Sequence, residues 1–391
     1  VPGMFFEDMG ITYLGPVDGH DVRKLYKVFS EAKRLNHAVL VHVLTKKGKG
    51  YLPAEENPSR FHGTPPFVIE TGEAKQTSEK DSYTDVFSKV ITDVGKKDEK
   101  VVTITAAMAD GTGLNRFAKH FPDRFFDVGI AEEHALTFAA GLAAGGMKPV
   151  VALYSSFLQR AYDQAIHDVC LQNLPVVLAV DRAGLVGSDG ETHQGLFDLS
   201  FLTTIPNMTI MSPKNRWEMA DMVRYAIDFQ YPIALRYPRG EAYEGFKEFR
   251  TPIEYGKSEM LYQESEIAIV FVGHMAKLAK DVREELKNRG YSCTLVNARF
   301  VKPLDKEMLV QLAANHRIFV TIEENVLSGG FGQQVLDCVE RERLDVYVHS
   351  FGIPDDYVEH GNVDVLRKEV GLEKTNIVEK IITDYNIARN E

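Results

Sequence analysis

Residues Phe125–Asp189 decide the fold, and they read FFDVGIAEEHALTFAAGLAAGGMKPVVALYSSFLQRAYDQAIHDVCLQNLPVVLAVDRAGLVGSD. Three apolar runs, FFDVGI, PVVALY and PVVLAV, alternate with two stretches that have helical spacing, which predicts parallel strands joined by crossover helices. Polar or aromatic residues follow each run: Glu132, then Tyr154–Phe157, then Asp181 and Arg182. Because ligands of open parallel sheets lie at the carboxyl ends of strands, this stretch predicts one edge that binds a ligand.

The composition is that of a globular protein with more than one domain. The chain has 391 residues, of which 44% are hydrophobic, and a formal net charge of −11, so we expect two or three domains and neither a nucleic-acid nor a membrane partner. Its three cysteines, Cys170, Cys293 and Cys338, are far apart, which favours a reducing compartment such as the cytoplasm. The start VPGMFFEDMG has neither an initiator Met nor a signal-peptide pattern, and we interpret it as a point within a longer protein.

The pattern of predicted elements divides the chain into regions. Residues 1–50 contain a helix near Asp21–Leu35 and one strand, too little for a core, and read as the C-terminal tail of an α/β domain. Residues 51–80 are polar, rich in Pro and Gly, and read as a linker. Residues 81–242 and 257–391 each alternate strands with helices. The predicted fold class is therefore α/β, with two doubly wound, mostly parallel-sheet domains plus the tail of a third.

Each candidate site residue also has a structural interpretation. Glu132 begins a helix, and its spacing alone favours a structural role, in which it complements the helix dipole; Glu133 and His134 compete with it for any catalytic role. Asp189 and His193 lie in a Gly-rich loop that suits either acid–base chemistry or ordinary turns. His20 precedes a helix and is by itself a loop residue.

Arginines recur at the predicted strand ends. Arg160, Arg182 and Arg239 suit bidentate recognition of phosphate or carboxylate, although a structural ion pair explains any single one of them. His167 and Cys170 have helical spacing but no second ligand pair nearby, so no metal site is predicted in this chain.

Six strings resemble one family: YLGPVDGHD, LTKKGKGY, DVGIAEEHALTFAAGLA, YSSFLQRAYDQ, DRAGLVGSDGETHQG and RYPRG. They are similar to 1-deoxy-D-xylulose-5-phosphate synthase, a transketolase-like enzyme that depends on thiamine diphosphate. The resemblance runs through essentially the whole chain. It implies that residues 1–50 end a diphosphate-binding domain, 81–242 form a pyrimidine-binding domain, and 257–391 form a transketolase C-terminal domain.

The family's cofactor motif, GDG with a later Asn, is absent from the sequence. The resemblance therefore implies that the ligands of Mg²⁺ and of the diphosphate lie upstream of this chain, either in the same protein or in a separate chain. It also implies a cytoplasmic homodimer.

The resemblance assigns roles to the candidate residues. Glu132 matches the glutamate that contacts the cofactor's aminopyrimidine, and Phe157 matches the ring that stacks on it. His20 matches a histidine that reaches the cofactor, and His193 and Asp189 match polar catalytic residues. The residues that match the holders of the substrate phosphate are Tyr154, Arg182 and Arg239, with Arg160 nearby.

The implied reaction condenses pyruvate with D-glyceraldehyde 3-phosphate, with decarboxylation, to 1-deoxy-D-xylulose 5-phosphate. In the family this product feeds isoprenoid, thiamine and pyridoxal synthesis. Two alternatives stay open: a transketolase half or β subunit of a 2-oxoacid dehydrogenase, and a folded fragment that is inactive on its own.

Overall fold

The computed structural model describes residues 3–64, 66–75, 80–187 and 189–390. It divides into two compact units, Val1–Glu79 and Lys80–Glu391. Within the described residues, no helix is long and apolar enough to cross a membrane.

The first unit is built on two parallel strands joined by a helix. Its elements are α1 (Met4–Asp8), β1 (Thr12–Asp18), α2 (Val22–Ala32), β2 (Val39–Leu44) and α3 (Leu52–Glu56). The helix begins as predicted, since the Asp21 carboxylate accepts from the backbone N–H groups of Arg23 and Lys24. The sequence pattern misses β1, because Gly15 and Pro16 interrupt its apolar run and shift its register against β2.

The predicted linker is more ordered than its composition suggests. Besides α3, three aromatic rings pack together, with centroid distances of 5.5 Å for Tyr51–Phe61, 5.8 Å for Tyr51–Phe67 and 5.2 Å for Phe61–Phe67. The Tyr51 hydroxyl also donates to the Ile69 carbonyl at 2.8 Å. Residues 51–64 and 66–75 thus contain a helix and packed rings, residues 65 and 76–79 lie outside the described part of the chain, and the linker role of residues 51–80 stays a prediction.

The described residues of the second unit form twelve strands and the longer helices of the chain. Its strands are β3 (Val101–Thr105), β4 (Phe125–Asp127), β5 (Lys148–Tyr154), β6 (Val177–Asp181), β7 (Thr209–Met211), β8 (Ile233–Arg236), β9 (Glu259–Tyr262), β10 (Glu266–Phe271), β11 (Cys293–Asn297), β12 (Phe300–Lys302), β13 (His316–Val326) and β14 (Tyr347–Ile353). Its helices are α4 (Tyr83–Gly95), α5 (Asn115–His120), α6 (Glu132–Ala144), α7 (Ser155–Leu158), α8 (Tyr162–Gln164), α9 (Asp198–Thr203), α10 (Arg216–Asp228), α11 (Ala276–Asn288), α12 (Lys306–Ala313), α13 (Phe331–Glu342), α14 (Val363–Glu369) and α15 (Lys374–Asn390).

Two sheets organise this unit, as the sequence predicts. The first has seven strands in the order β12-β7-β8-β6-β5-β3-β4, all parallel except β12. The chain moves from β3 to β4 on one side and then returns to β5 on the other, so the topological switch point lies between β3 and β5. The Gly-rich loop after β3 and Tyr154 at the end of β5 meet there, which is where open α/β sheets bind ligands.

The second sheet has the order β14-β13-β10-β11-β9, with only β9 antiparallel. Its last helices complete the core beneath it, since Ile377 and Ile381 of α15 are fully buried.

The two sheets are joined within one compact unit, Lys80–Glu391, and the boundaries of the two domains predicted in it, 81–242 and 257–391, stay a prediction. Strand β12 leaves the second sheet's region and pairs antiparallel with β7 of the first sheet, Phe300 opposite Met211. One hydrophobic cluster joins both regions, with Ile210 from the first and Val301 and Phe319 from the second. The unit therefore has a continuous core across both sheets.

Candidate functional site

Glu132 is the buried acid of the predicted edge. It is the first residue of α6, and its side chain is only 2% exposed. Its Oε1 accepts from an Arg160 guanidinium N–H at 2.9 Å. Its Oε2 is buried and has no hydrogen-bond partner among the described residues. An unsatisfied buried carboxylate oxygen is unusual enough to indicate a partner outside the chain.

Burial distinguishes Glu132 from its neighbours Glu133 and His134, a distinction that the sequence alone does not make. Glu133 and His134 are both exposed, and the His134 ring stacks on Phe138 with a centroid distance of 5.9 Å. Only Glu132 points its carboxylate into the protein at this helix end. Its position in the first turn of α6 also complements the helix dipole, so the two interpretations of this residue are compatible.

An aromatic group lies beside Glu132 at the carboxyl end of β5. The Phe157 and Tyr154 rings stack with centroids 5.4 Å apart, and the edge of His193 meets Phe157 at 5.3 Å. The Arg160 guanidinium carbon lies 5.1 Å from the Phe157 centroid. Arg160 is thus placed with Glu132 and Phe157, whereas its predicted contact with a substrate phosphate remains a prediction.

Arg182 is held rigidly at the end of β6. Its backbone adopts a left-handed conformation (φ 58°), and its guanidinium carbon lies 3.9 Å from the Tyr154 ring centroid. One guanidinium nitrogen, Nη1, donates to the Gly111 carbonyl at 2.6 Å and lies 3.0 Å from Asp181 Oδ1. Within the described residues, its Nε and Nη2 donate to no protein acceptor, so one edge of the guanidinium faces outward for a ligand.

The Asp181 carboxylate forms an ion pair with the Arg182 guanidinium. Its side chain is fully buried, and its Oδ2 accepts from the Thr84 hydroxyl at 2.8 Å. Burial raises the pKa of Asp181 to about 6, with the Arg182 charge acting in the opposite direction. Burial also raises the pKa of Tyr154 to about 12, so this phenol stays protonated near neutrality.

Arg239 and Asp189 form a second, more open pair near Tyr154. An Arg239 guanidinium N–H donates to Asp189 Oδ2 at 2.8 Å, and both side chains are nearly half exposed. Both charges act electrostatically on the Tyr154 hydroxyl. The structure therefore brings together, in the second unit, Glu132, Tyr154, Phe157, Arg160, Arg182, Asp189, His193 and Arg239.

His20 belongs to the first unit, Val1–Glu79. Its Nε2 accepts from the Lys46 backbone N–H at 2.7 Å, so its ring proton lies on Nδ1. Its own backbone N–H donates to Asp18 Oδ1 at 2.9 Å. The ring is thereby fixed in one tautomer against the end of β2.

Two other features of the sequence, His167 with Cys170 and the Gly-rich loop before α13, have contacts within the protein. His167 bonds to Asp163 at 3.0 Å, while Cys170 is buried; across the described ranges, no group of three His, Cys, Asp or Glu is arranged to hold a metal ion. At the loop before α13, the Glu323 carboxylate accepts from the Phe331 and Gly332 backbone N–H groups at 2.8 Å each. The chain's own carboxylate thus occupies that helix start, in agreement with a tight turn.

Sequence reasoning missed the residues that support the site. Gly111 is needed because a Cβ there would lie 1.8 Å from the Tyr154 hydroxyl oxygen. The Tyr237 hydroxyl is buried without a described partner, close enough for the Asp181 charge to act on it. The Gly-rich composition of the loop after β3 is the one signal that pointed to Gly111; nothing local pointed to Thr84 or Tyr237.

Three family models match the chain in consecutive segments. They are the 1-deoxy-D-xylulose-5-phosphate synthase model over residues 1–45, the transketolase pyrimidine binding domain over 79–244, and the transketolase C-terminal domain over 256–377.

Curated relatives match the chain across nearly its whole length. The 1-deoxy-D-xylulose-5-phosphate synthase of Lachnoclostridium phytofermentans is 54% identical over 97% of this chain and 61% of the relative. The synthase of Aquifex aeolicus is 50% identical over 98% of this chain and 61% of the relative. The chain thus spans about three fifths of the length of these relatives.

Solved structures share the fold. A split-gene transketolase, described as an inactive β4 tetramer, has a TM-score of 0.71 and 26% identity, covering 78% of this chain and 98% of its own. The transketolase of Campylobacter jejuni has a TM-score of 0.67 and 15% identity, covering 97% of this chain and 68% of its own. In the part that it spans, the chain belongs to the transketolase-like family of 1-deoxy-D-xylulose-5-phosphate synthases.

Proposed function

We propose that this chain forms the pyrimidine-binding and C-terminal parts of a transferase that makes 1-deoxy-D-xylulose 5-phosphate from pyruvate and D-glyceraldehyde 3-phosphate, with loss of CO₂. This is the first step of the non-mevalonate isoprenoid pathway and also feeds thiamine synthesis. The observation that carries the proposal is the buried Oε2 of Glu132, which has no partner among the described residues, on a carboxylate that Arg160 connects to the Phe157 ring. The relatives named above support the reaction.

The residues present fit the aminopyrimidine of thiamine diphosphate. Such a ring carries nitrogen atoms that exchange hydrogen bonds with a carboxyl, and it needs an aromatic face to stack on. Glu132 Oε2 offers the first and Phe157 the second, at the carboxyl edge of the seven-stranded sheet. When bound, thiamine diphosphate supplies a carbon nucleophile and an electron sink for decarboxylation.

Glu132 is proposed to hold a proton at Oε2 in a hydrogen bond to that ring. Arg160 fixes the other oxygen and so sets the direction in which Oε2 points. The surrounding protein excludes water from the carboxyl, which is 2% exposed. The assignment of His20 as a cofactor contact rests on the resemblance alone.

The acceptor phosphate is proposed to lie between the two arginine pairs. Arg182 offers its free Nε and Nη2 edge, and the protonated Tyr154 hydroxyl offers a further donor. Arg239, although paired with Asp189, is nearly half exposed. An incoming anion can therefore reach its guanidinium at little desolvation cost. His193, at the edge of Phe157, and Asp189 are proposed to contact the pyruvate-derived group.

Several properties rest on the resemblance alone. They are Mg²⁺ as a second cofactor, held by the diphosphate-binding part of the relatives; a homodimer; a separate partner chain; and a cytoplasmic location.

A second candidate is that the isolated chain is inactive. The split-gene transketolase structure favours it, because that β4 tetramer is described as inactive and is similar to 78% of this chain. Both candidates are tested by mixing the chain with the purified diphosphate-binding part of a relative, thiamine diphosphate and Mg²⁺.

We expect product from pyruvate and D-glyceraldehyde 3-phosphate only in the mixture. Ketol transfer from a sugar phosphate without pyruvate would instead support a transketolase half. Transfer of an acyl group to a lipoyl domain would support a dehydrogenase β subunit. Turnover of all three substrate sets at background rate would refute the proposed function.

A further inference from the structure

We infer that Asp181 is a positioning residue that fixes the Arg182 guanidinium for the phosphate of the acceptor aldehyde. The inference rests on the proposed function, and it concerns how the phosphate site is prepared before the substrate arrives. Asp181 acts through Arg182 and does not itself reach the substrate, because its side chain is fully buried.

The backbone of Arg182 needs support from its surroundings. A left-handed backbone (φ 58°) is uncommon for a residue with a long side chain. Such conformations persist where neighbouring groups hold them, and they occur often at binding sites. At the end of β6, the Asp181 carboxylate faces the Arg182 guanidinium, with Oδ1 3.0 Å from Nη1.

The guanidinium itself is held on three sides. The Arg182 Nη1 donates to the Gly111 carbonyl at 2.6 Å. It also forms an ion pair with Asp181 Oδ1 at 3.0 Å. The Tyr154 ring covers one face of the guanidinium, at 3.9 Å from its carbon. These contacts leave the Nε and Nη2 edge, which is the pair of donors that binds a phosphate in a bidentate manner.

Asp181 is rigid in turn. Thr84, on α4, donates to Oδ2 at 2.8 Å, and the residue lies in the fully buried end of β6. A buried carboxylate requires a partner charge, and Arg182 provides it. The pair is therefore mutually dependent: each group is held in place because the other is there.

The Asp181 charge also has an opposite effect, since it repels a phosphate bound to Arg182. Positioning and repulsion predict opposite changes when the charge is removed. Asp181→Asn keeps the size of the side chain and removes the charge. A rise in the KM for the phosphorylated aldehyde supports positioning, and a fall supports repulsion.

The first experiment is steady-state kinetics of the complete enzyme, with the diphosphate-binding part present. For Asp181→Asn we expect the KM for D-glyceraldehyde 3-phosphate to rise at least about tenfold, with the KM for pyruvate unchanged within about twofold. Use of unphosphorylated D-glyceraldehyde should not change. A lower KM for the phosphorylated aldehyde, or equal losses with all three substrates, would overturn the inference.

The matched control is Asp198→Asn. Asp198 is equally buried, and its charge is paired with Arg236 at 2.6 Å rather than with Arg182. Removing its charge tests the general effect of breaking a buried ion pair. We expect no preference between phosphorylated and unphosphorylated acceptors in this variant.

A pH profile adds a readout that a structural role alone would not change. Among the described residues, the titratable groups facing Asp181 are Arg182, Tyr154 and Tyr237; near pH 6 only Arg182 of these is charged. The substrate phosphate also titrates close to pH 6, and Asp181→Asn reports that substrate effect by itself. We expect the wild-type KM to rise more steeply than the variant's as pH falls through about 6; coincident profiles would contradict the inference.

Binding of inorganic phosphate to the chain alone separates this inference from the proposed function. Titration calorimetry should give a dissociation constant at least about tenfold weaker for Asp181→Asn than for the wild type and for Asp198→Asn. If the mixture makes no product but this difference is found, the proposed reaction fails and the positioning of Arg182 stands. If the wild-type chain binds no phosphate, or the variant binds it equally well, the inference fails even in an active enzyme.

Discussion

Replacing Glu132 by Gln should separate activity from stability. Gln has the same size as Glu but cannot hold a carboxyl proton at Oε2, the buried oxygen without a described partner. Groups that transfer or hold a proton contribute roughly 10²–10⁴-fold to rates. We therefore expect turnover of the complete enzyme to fall at least about 100-fold, which corresponds to about 2.7 kcal/mol of transition-state stabilisation.

The same substitution should cost little folding free energy. The protein partner of Glu132 is Arg160, whose side chain is 48% exposed, so its guanidinium remains hydrated when the ion pair is lost. Glu132 itself is buried, so the neutral Gln side chain also avoids the cost of holding a charge out of water, and its amide oxygen can still accept from Arg160. We expect the free energy of unfolding of the chain, measured by urea titration with circular dichroism, to change by less than about 1 kcal/mol.

Glu218→Gln is the matched control, because Glu218 is a buried glutamate whose two oxygens are both satisfied. It accepts from Lys214 Nζ at 2.9 Å and from Arg299 Nε at 2.8 Å, and both cations are at most 3% exposed. Removing its charge leaves Lys214 and Arg299 sharing the Glu259 carboxylate, so one buried positive charge loses its compensation, at a cost of about 3–5 kcal/mol. Glu132→Gln would refute the reasoning if it retained more than about 10% of the activity, or if it destabilised the chain as much as Glu218→Gln.

Three further predictions concern other parts of the site. Arg239→Ala should raise the KM for D-glyceraldehyde 3-phosphate at least about tenfold and leave that for pyruvate within about twofold, since it removes a phosphate donor; steady-state kinetics with equal effects on both substrates would reject this assignment. Gly111→Ala should destabilise the chain by about 1–3 kcal/mol, because its Cβ would lie 1.8 Å from the Tyr154 hydroxyl oxygen. In thermal unfolding, Tyr154→Phe should recover part of that loss, while Gly63→Ala, with nothing within 4 Å of its Cβ, should be neutral; a full loss in the double variant would place the strain elsewhere. Asp181 has a raised pKa of about 6 against 3.8, so the native state holds its proton more tightly and stability should fall by about 3 kcal/mol as pH rises from about 4 to 6; urea titrations in which Asp181→Asn shows the same slope would contradict this.

The order of strands and helices in the second unit was largely predictable because its periodicity is strong. Ser82 and Asp85 form a capping box at the start of α4, and Gly290 follows α11 with a left-handed backbone. Short strands were missed. β7 is only Thr209–Met211, and β12 is only Phe300–Lys302. Three residues give too little alternation to register as a strand, and the partner of β12 is distant in sequence.

The chemistry of the site was predicted less completely, for a physical reason. Sequence spacing placed charged and aromatic residues at strand ends, and the sheet does bring eight of them together. It did not say which charge faces which: Arg160 pairs with Glu132 and Arg239 with Asp189, contacts that only the fold creates. Burial is equally invisible along the chain, which is why Glu132 could not be distinguished from Glu133 beforehand.

The resemblance supplied roles that geometry alone does not. Neither burial nor hydrogen bonding identifies an aminopyrimidine, and the assignment of Phe157 as its stacking partner stays a prediction. Conversely, the structure supplied Asp181 and Gly111, which no family string singled out as functional.

The pairing of β12 with β7 constrains how this protein can be recombined. The pyrimidine-binding model ends at residue 244 and the C-terminal model begins at residue 256, which suggests a cut between them for a chimera. Such a cut separates Met211 from Phe300 and leaves β7 with an open edge. Exposed strand edges pair readily with other copies and lead to aggregation. A chimera that exchanges the last region between relatives must therefore carry a compatible β12, and lineages that inherit the two regions as one block avoid this penalty.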